Sequence, residues 1–539
     1  MRLKKLYNTK VREYMKKSSN LQSHFSSWWL EHKKIIICTL TWGGIVNFQL
    51  YSNSLRSPDS LWNSGIYQSG TWELSLGRWL PQIFDWMQFQ TILPFLNTLL
   101  TLFIYAIALA LFTDFFNVQS QTLKLLCTCV IISSPFISMS LQYYYSNETY
   151  AFALLFAILS FYGLWDLHNI SPQRLFAGIF SLAFSLALYQ SFLGIAVLIA
   201  LFLILKRASN ENKLNIINFI KDIGAYAIIL LGGILLYYIL LQILLKYFNI
   251  SLSSYKGAND ISVKSILFNL PTSMLKCYSD FGEFFLGNKI ARNAFNINYI
   301  HIAVILIIVG KMIGIIFNPL RAWVSKFVML IAFLCIPIAC NFIDLITINA
   351  EMYLLTIGGM LIVIQGLVLL EEELSRTHYF KSGIYCFLII LLYLYAIQDN
   401  VDSMMMLNAT NQSRTLVNRI WTNVENFPGY YPGTKIMIAG NPSSDTSSYP
   451  IVSNYYSYAN WYARIGLFWS TWDGSTSCWN HLIQNELGIN ANFCTKDDFI
   501  HIANDCSFKE MPVYPLPGSI SFYDDILVVK VSDITNMQY

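Results

Sequence analysis

The chain has 539 residues, of which 55% are hydrophobic, 16% are aromatic and 12% are charged, and its formal net charge is +4. Charged residues make up about a quarter of a typical soluble globular protein, so this composition excludes that class and predicts a membrane protein. The basic residues lack interleaved aromatic residues for base stacking, which argues against nucleic-acid binding.

Residues 1–34 carry nine lysines and arginines ahead of the first apolar run. Positive charge is retained on the cytoplasmic side of membrane helices, so we expect this basic segment in the cytoplasm. The segment is too long and too polar for a signal peptide, and no small-residue cleavage pattern follows it. We therefore expect the first apolar run to remain as an anchor in the membrane.

The apolar runs that follow predict a polytopic α-helical protein, because a helix needs about 20 mostly apolar residues to cross the hydrocarbon core. We expect about eleven transmembrane helices, near residues 35–52, 91–112, 122–140, 149–165, 174–189, 191–206, 223–246, 300–317, 327–344, 352–370 and 383–398. Lysine and arginine follow most of the even-numbered spans, whereas the loops at 141–148, around 190 and at 345–351 contain neither. This bias predicts a cytoplasmic N-terminus and an extracytoplasmic C-terminus.

The membrane domain is predicted over residues 35–400, with long outer loops at 53–90 and 247–299. The second of these loops mixes apolar and polar positions in a way that suits short amphipathic helices at the membrane surface. Residues 401–539 contain two strand-like stretches and one helix-like stretch, which predict a small extracytoplasmic α/β domain. A disulfide is possible in that compartment, and the pairing is left open among four cysteines: Cys277, Cys478, Cys494 and Cys506.

The first outer loop concentrates charge, with Arg56, Asp59, Glu73 and Arg78 in the stretch "SLRSPDSLWNSGIYQSGTWELSLGRW". An acid at the lipid boundary is a functional candidate by default. Asp59 also suits a helix N-cap, and Arg78 beside a tryptophan also suits an anchor at the headgroup level. The combination of an acid, an arginine and aromatic rings with flat faces suits a site for sugars.

Several motifs in a fixed order carry a family resemblance: "PDSLWNSG", "GRWL", "LYQSF", "YKG", "GLFWS" and "MPVYPLPGSI". The chain resembles the bacterial glucosyltransferases typified by the Shigella type-II O-antigen enzymes, which convert serotype. Members of that family usually show a paired acid in the first loop, whereas Pro58 precedes Asp59 here. The resemblance implies a GT-C type fold in the bacterial inner membrane and catalysis on the outer face.

The resemblance further implies a polyprenyl-phosphate-linked glucose as donor and a lipid-linked surface polysaccharide, such as the O-antigen of lipopolysaccharide, as acceptor. A donor synthase and a flippase would be the expected partners. Such a transfer needs a carboxylate to take the proton of the acceptor hydroxyl, and cations to stabilise the departing phosphate. We expect a single displacement with inversion at the anomeric carbon.

Three acids are candidates for the base, in the order Asp59, Glu148 and Glu73. Glu148 also suits the N-terminus of the fourth span, where an acid interacts favourably with the helix dipole. For the donor phosphate we favour Arg78 and Arg292, followed by two lysines that also suit snorkelling positions, Lys256 and Lys289.

Another acid, Asp344, begins the outer turn "DLITINAE". We favour a solvated turn for this residue rather than a functional role.

Candidates for contact with the sugars lie in the first outer loop, in the short outer turn around residue 190 and in the tail: Trp62, Trp72, Tyr189, Gln190, Trp469 and Ser470. Gln190 could instead tie two helices together, and Trp469 could pack the tail onto the membrane domain. The histidines are scattered, no outer DxD cluster occurs and no glycine loop suits a nucleotide, so the sequence predicts neither a metal nor a cofactor.

Two other functions compete with this interpretation. A transporter or flippase of lipid-linked sugars would carry ionisable residues inside its spans and symmetry between its halves. Here Lys311 is the main charge within a span and no repeat is visible. A polysaccharide polymerase could use the loop at 247–299, although the acid and "GRW" of the first loop favour a glycosyltransferase.

Overall fold

The structure is a computed structural model, which describes residues 26–87, 89–164, 171–210, 216–255, 263–319, 321–346, 352–374, 381–442, 452–468 and 476–534. Most of the basic N-terminal segment lies outside these residues. So do three of the predicted site residues, Lys256, Trp469 and Ser470.

The part of the chain before residue 400, here called the membrane part, is almost entirely helical. Its α-helices in chain order are α1 (26–46), α2 (Phe48–Ser52), α3 (Pro58–Trp62), α4 (Thr71–Ser75), α5 (Pro81–Met87), α6 (Pro94–Thr113), α7 (Gln121–Ile132), α8 (Pro135–Leu141), α9 (Asn147–Tyr162), α10 (Pro172–Leu188), α11 (Leu193–Asn210), α12 (Ile216–Phe248), α13 (Val263–Leu286), α14 (Ile297–Ile316), α15 (Trp323–Leu334), α16 (Ile336–Cys340), α17 (Met360–Leu374) and α18 (Lys381–Glu425).

Five helical stretches among the described residues are long and apolar enough to cross a membrane: α6, Gln190–Ser209, α12, α14 and α18. Helices α7 and α8 meet at 52° and make a sixth if they form one span, while α10 and α15 are apolar but shorter. A helix or helix pair covers most of each predicted span, but the predicted count of eleven is not confirmed. Prolines at the start of α8 and α16 explain two interruptions, because proline suits the first turn of a new helix but breaks a continuing one.

Helix α9 lies at the centre of the membrane part, where it packs between α6 and α10, and α10 packs in turn on α12. The two ends of α9 differ in chemistry. Its last residue, Tyr162, donates a hydrogen bond to Asp114 Oδ2 at 3.0 Å, and further ion pairs occupy the same ends of neighbouring helices. The candidate site lies at the other end, where α9 begins.

The charge that the sequence places inside a span is neutralised, because Lys311 Nζ lies 2.9 Å from Glu371 Oε1. Lys206 and Glu373 form a similar pair at 3.1 Å. Both pairs join helices at the end of the bundle remote from the start of α9. They therefore do not form a row of ionisable residues through the membrane part, as a transporter would be expected to have.

The predicted short amphipathic helices of loop 247–299 are, within the described residues, one 24-residue helix, α13. Pro271 lies inside it, and Phe268 is 84% exposed on its apolar face. Lys276 of the same helix has its Nζ 3.0 Å from an oxygen of Asp344, which is completely buried. The sequence favoured a solvated turn for Asp344, and that interpretation is wrong because α13 covers the turn.

The described residues of the tail contain three strands, β1 (Lys435–Ala439), β2 (Ile520–Tyr523) and β3 (Ile526–Lys530), in the order β1-β3-β2. Strand β3 pairs in parallel with β1 and antiparallel with β2. The second predicted strand is therefore a hairpin, whose turn uses Asp524 at a φ of 51°. The part of the tail that the structure describes also contains four short α-helices: α19 (Trp461–Arg464), α20 (Thr476–Leu482), α21 (Lys496–Asn504) and α22 (Cys506–Glu510).

Helix α18 joins the two parts, because its 45 residues continue without interruption past the predicted boundary at residue 401. Its final turns place Val417, Ile420 and Trp421 in the hydrophobic core of the tail.

All ten cysteines lie among the described residues, and all are free thiols, so the possible disulfide of the tail is not formed.

Candidate active site in the first loop

Asp59 lies in the first turn of the short helix α3. Ser57 is the N-cap, since its Oγ accepts a hydrogen bond from the backbone N–H of Ser60 at 3.3 Å, and Pro58 occupies the first helical position. The alternative role of Asp59 as the cap is thus taken by Ser57. The Asp59 carboxyl group stays half-buried near the start of the helix.

The α3 helix is fastened to the loop between α8 and α9. Ser60 Oγ donates a hydrogen bond to the carbonyl of Gln142 at 2.7 Å and accepts one from the backbone N–H of Tyr144 at 3.1 Å. The backbone N–H of Ser57 donates to the same Gln142 carbonyl at 3.3 Å. These bonds hold Asp59 against the run of three tyrosines at 143–145.

The other side of α3 is fastened to the tail. Leu61 is completely buried in the tail core, and Asn485 Nδ2 donates a hydrogen bond to its carbonyl at 3.3 Å. Glu486 accepts hydrogen bonds from Arg56 at 2.9 Å and from Arg414 of α18 at 2.5 Å. The tail and the membrane part therefore both position the helix that carries Asp59.

Six tyrosines, here called the tyrosine cluster, gather beside Asp59: Tyr67, Tyr143, Tyr145, Tyr150, Tyr189 and Tyr353. Their neighbouring ring centroids are 4.8 to 6.3 Å apart along the sequence of contacts that leads from the first of these residues to Tyr189. The hydroxyl groups of Tyr189 and Tyr353 lie 3.3 Å apart. Their edge-to-face packing is one of the arrangements that aromatic pairs prefer.

Asp59 and Arg78 both act on this cluster. Burial, and after it the negative charge of Asp59, raises the pKa of Tyr143 and of Tyr145 well above the usual range. The guanidinium carbon of Arg78 lies 4.5 Å from the centroid of the Tyr189 ring, which is a cation–π contact. Burial and the negative charge of Asp59 also raise the pKa of Tyr255, while the positive charge of Arg78 lowers it by a smaller amount.

Two buried N–H groups beside the cluster have no hydrogen-bond acceptor among the described residues. They are Arg78 Nε and the indole Nε1 of the next residue, Trp79. The side-chain amide of Gln142 is likewise buried without a partner in the described part of the chain. A buried donor that lacks an acceptor is costly, so these groups suit a ligand that brings oxygen atoms.

Glu73 is occupied in a different role. Its Oε2 accepts a hydrogen bond from the backbone N–H of Gly70 at 2.8 Å, and its Oε1 accepts one from the hydroxyl of Tyr67. It therefore caps α4 and holds the loop. Glu148 lies in the first turn of α9 and is only 1% exposed, so its carboxyl is near the cluster but covered by protein.

Gln190 links the first loop to the helices, because its Nε2 donates to the carbonyl of Leu76 at 2.8 Å and to the hydroxyl of Tyr237 at 3.0 Å. Two of the three tryptophans predicted to contact sugars lie among the described residues, and the first of them, Trp62, stacks on His481 of the tail at 6.2 Å between centroids. Trp72 is 53% exposed beside Tyr255.

The other predicted phosphate-binding residues that the structure describes lie in the segment after α13. The backbone N–H of Arg292 donates to Asn460 of the tail at 2.7 Å. Lys289 is exposed, and its backbone N–H donates to Glu283 at 2.7 Å. Within the described residues, no hydrogen bond or ring contact joins either cation to Arg78.

The sequence interpretation missed most of the tyrosine cluster and missed Asp85. Asp85 is 4% exposed and accepts a hydrogen bond from the backbone N–H of Ser69 at 2.6 Å, and burial raises its pKa to about 6. The run "YYY" before Glu148 was the available signal for the cluster, since three adjacent tyrosines between two apolar runs are unusual in a plain loop.

Comparison with known proteins supplies the family. The family described as Glucosyl transferase GtrII matches residues 63–364, which is more than half of the chain. The match includes Arg78, Glu148 and Tyr189, and it begins shortly after Asp59. No curated protein and no solved structure matches the chain. The chain is therefore a membrane protein that belongs to the GtrII family of glucosyltransferases.

Proposed function

We propose that the protein transfers glucose from a polyprenyl-phosphate-linked donor to a lipid-linked surface polysaccharide of the O-antigen type, on the outer face of the bacterial inner membrane. The single observation that carries this proposal is the placement of Asp59 and Arg78 on one tyrosine cluster. A carboxylate and a fixed cation beside flat aromatic faces match the three parts of the reaction: an acceptor hydroxyl, a phosphate and a sugar.

In this mechanism Asp59 takes the proton of the acceptor hydroxyl as its oxygen attacks the anomeric carbon of glucose. The bond between that carbon and the phosphate oxygen breaks, and the electron pair leaves with the polyprenyl phosphate. Attack from the face opposite to the phosphate inverts the anomeric centre. A separate general acid is unnecessary, because the phosphate is a good leaving group once its charge is stabilised.

Arg78 is the favoured partner for the departing phosphate. Charge-assisted hydrogen bonds from a guanidinium to phosphate are among the strongest in proteins. The free Arg78 Nε and Trp79 Nε1 would both gain an acceptor from the phosphate oxygens. The ring of Tyr189 restrains the guanidinium, so less side-chain entropy is lost when the donor binds.

The remaining assignments rest on the sequence and on proximity. Glu148 is the second candidate for the base, and Arg292, Lys289 and Lys256 are further candidates for contacts to phosphate groups. The acceptor side is assigned to the tail with Trp469 and Ser470, and Trp62 joins the tail to the first loop. A donor synthase and a flippase would supply the donor at the outer face.

The test is transfer of labelled glucose from polyprenyl-phosphate-glucose to lipid-linked polysaccharide by the purified protein in liposomes. We expect Asp59→Asn to lower the rate by roughly a hundred- to ten-thousand-fold, the usual contribution of a positioned general base. Asp497→Asn, on the exposed surface of the tail, is the matched control and should keep the wild-type rate.

Near-normal transfer by Asp59→Asn would remove Asp59 as the base and make Glu148→Gln the next variant. If the wild type transfers no glucose but moves the donor lipid across the liposome membrane, the protein is a transporter and the proposal fails.

A further inference from the structure

A continuous row of aromatic side chains leads away from Arg78 along α9 and α10. We call this set the aromatic row: Trp79, Phe84, Phe152, Phe156, Phe184 and Phe180. The ring centroids of Phe84 and Phe152 are 4.2 Å apart, and those of Phe156 and Phe184 are 5.8 Å apart. Trp79 joins the row through Phe184 at 6.3 Å.

The helices align these rings because each contributes a pair four residues apart. Phe152 and Phe156 lie on one face of α9, and Phe180 and Phe184 lie on one face of α10. From the end of α10 at Tyr189 to Phe180 the chain advances nine residues, or roughly 13 Å along the helix axis. From Trp79 the contacts pass through Phe184 to Phe180, away from the candidate phosphate position. Phe156 and Phe152 lie beside them on α9, and Phe84 closes the row at the first loop.

The rings of the row differ from other aromatic residues on the apolar surface. Most of them are half-buried against the main hydrophobic core, and Phe180 is 45% exposed. By contrast, Trp323 and Phe327 stack on each other on α15 and are 73% and 49% exposed. The rings of the row therefore pack against the core with part of their surface accessible, whereas the pair on α15 is more exposed.

We propose that the aromatic row binds the isoprenoid chain of the donor while Arg78 and Trp79 hold its phosphate, an inference that rests on the proposed function. A phosphate held at Arg78 leaves its chain beside Trp79, where the row begins. Transfer of the chain from lipid to protein gains little from the hydrophobic effect, because both surroundings are apolar. Close packing of a branched, unsaturated chain against ring faces is the available source of selectivity over acyl chains.

The experiment compares two donors that differ only in the lipid, a long-chain polyprenyl-phosphate-glucose and a citronellyl-phosphate-glucose. The quantity is the ratio of kcat/KM for the long-chain donor to that for the short-chain donor. We expect Phe156→Ala combined with Phe184→Ala to lower this ratio about tenfold, which corresponds to about 1.4 kcal/mol. Phe156→Leu with Phe184→Leu, which keeps most of the side-chain volume, tests the same row should the alanine variant misfold.

Phe327→Ala is the matched control, since it removes an aromatic ring from a different lipid-facing surface. An unchanged ratio in both row variants overturns the proposal, and so does an equal fall in Phe327→Ala, which would indicate contact with bulk lipid. A photoreactive polyprenyl phosphate that carries no glucose tests binding of the isoprenoid chain separately from glucose transfer. Labelling of α9 and α10 without glucose transfer would support the row and overturn the proposed function, whereas transfer without such labelling would overturn the row.

Discussion

The guanidinium group of Arg78 lies over the ring of Tyr189, with 4.5 Å between the guanidinium carbon and the ring centroid. The two residues come from different elements, since Arg78 belongs to the first loop and Tyr189 ends α10. Gly77 makes the approach possible, because it has a φ of 82° and an added Cβ would lie 2.5 Å from the hydroxyl of Tyr237. The contact fixes a cation beside the buried tyrosines of the cluster.

Arg78→Lys should lower kcat/KM for the donor at least tenfold. Lysine keeps the positive charge but loses the planar group that stacks on Tyr189 and binds two phosphate oxygens at once. Tyr189→Phe keeps the ring and should stay within a few-fold of the wild type, whereas Tyr189→Ala should resemble Arg78→Lys. Steady-state transfer kinetics at varied donor concentration measure all three, and equal activity of Arg78→Lys and wild type would contradict the role of the stack.

Glu73→Ala should affect stability more than chemistry. Its carboxylate caps α4 through the backbone of Gly70 and accepts the hydroxyl of Tyr67. Loss of a helix cap costs about 1 kcal/mol, so we expect a lower unfolding temperature and a transfer rate within a few-fold of the wild type. Thermal unfolding in detergent and the transfer assay measure the two effects. A loss of transfer as large as that of Asp59→Asn, at unchanged stability, would instead restore Glu73 as a candidate base.

The sequence predicted those features that depend on local patterns. Apolar runs gave the positions of the membrane helices, and turn residues around "KIMIA" gave strand β1. Local charge also singled out Asp59 and Arg78 in one loop. The structure adds that both act on the same tyrosines, although their individual roles remain predictions.

Long-range contacts could not be predicted from those patterns. Arg56 and Glu486 are 430 residues apart in the chain, and no periodicity links them. The cluster likewise joins Tyr67, Tyr189 and Tyr353 from three separate loops. Asp344 was misjudged because its exposure depends on α13, a helix far from it in sequence, which supplies Lys276. The number of transmembrane helices was also not predictable, because prolines interrupt some apolar runs and hydropathy averaged along the chain does not detect such breaks.

The Lys276–Asp344 pair should behave as a buried ion pair. Lys276→Met leaves the completely buried Asp344 without its partner, and breaking such a pair typically costs about 3–5 kcal/mol. The double variant Lys276→Met with Asp344→Asn removes both charges, so it should be more stable than the single variant. Chemical unfolding of the three proteins measures the difference. A double variant less stable than Lys276→Met would contradict this account, because it would show that the carboxylate has other stabilising contacts.

The link between the first loop and the tail should weaken in acid. Burial alone would raise the pKa of Glu486, but the hydrogen bonds and positive charges of Arg414 and Arg56 outweigh it and hold the pKa below its usual value. The folded protein therefore binds fewer protons at this site than the unfolded chain does. Its stabilising contribution is complete above about pH 4.5, the ordinary value for glutamate, and is lost as the pH falls through the lowered pKa.

Glu486→Gln removes this titration while it keeps the shape of the side chain. We expect the wild type to be more stable than the variant at neutral pH, and the gap between their unfolding temperatures to shrink as the pH falls below about 4.5. Because Arg56 and Leu61 flank Asp59, the variant should also lower kcat for transfer more than it changes KM for the donor. A gap that stays constant across this pH range, or an unchanged kcat, would show that Glu486 does not position the loop that carries Asp59.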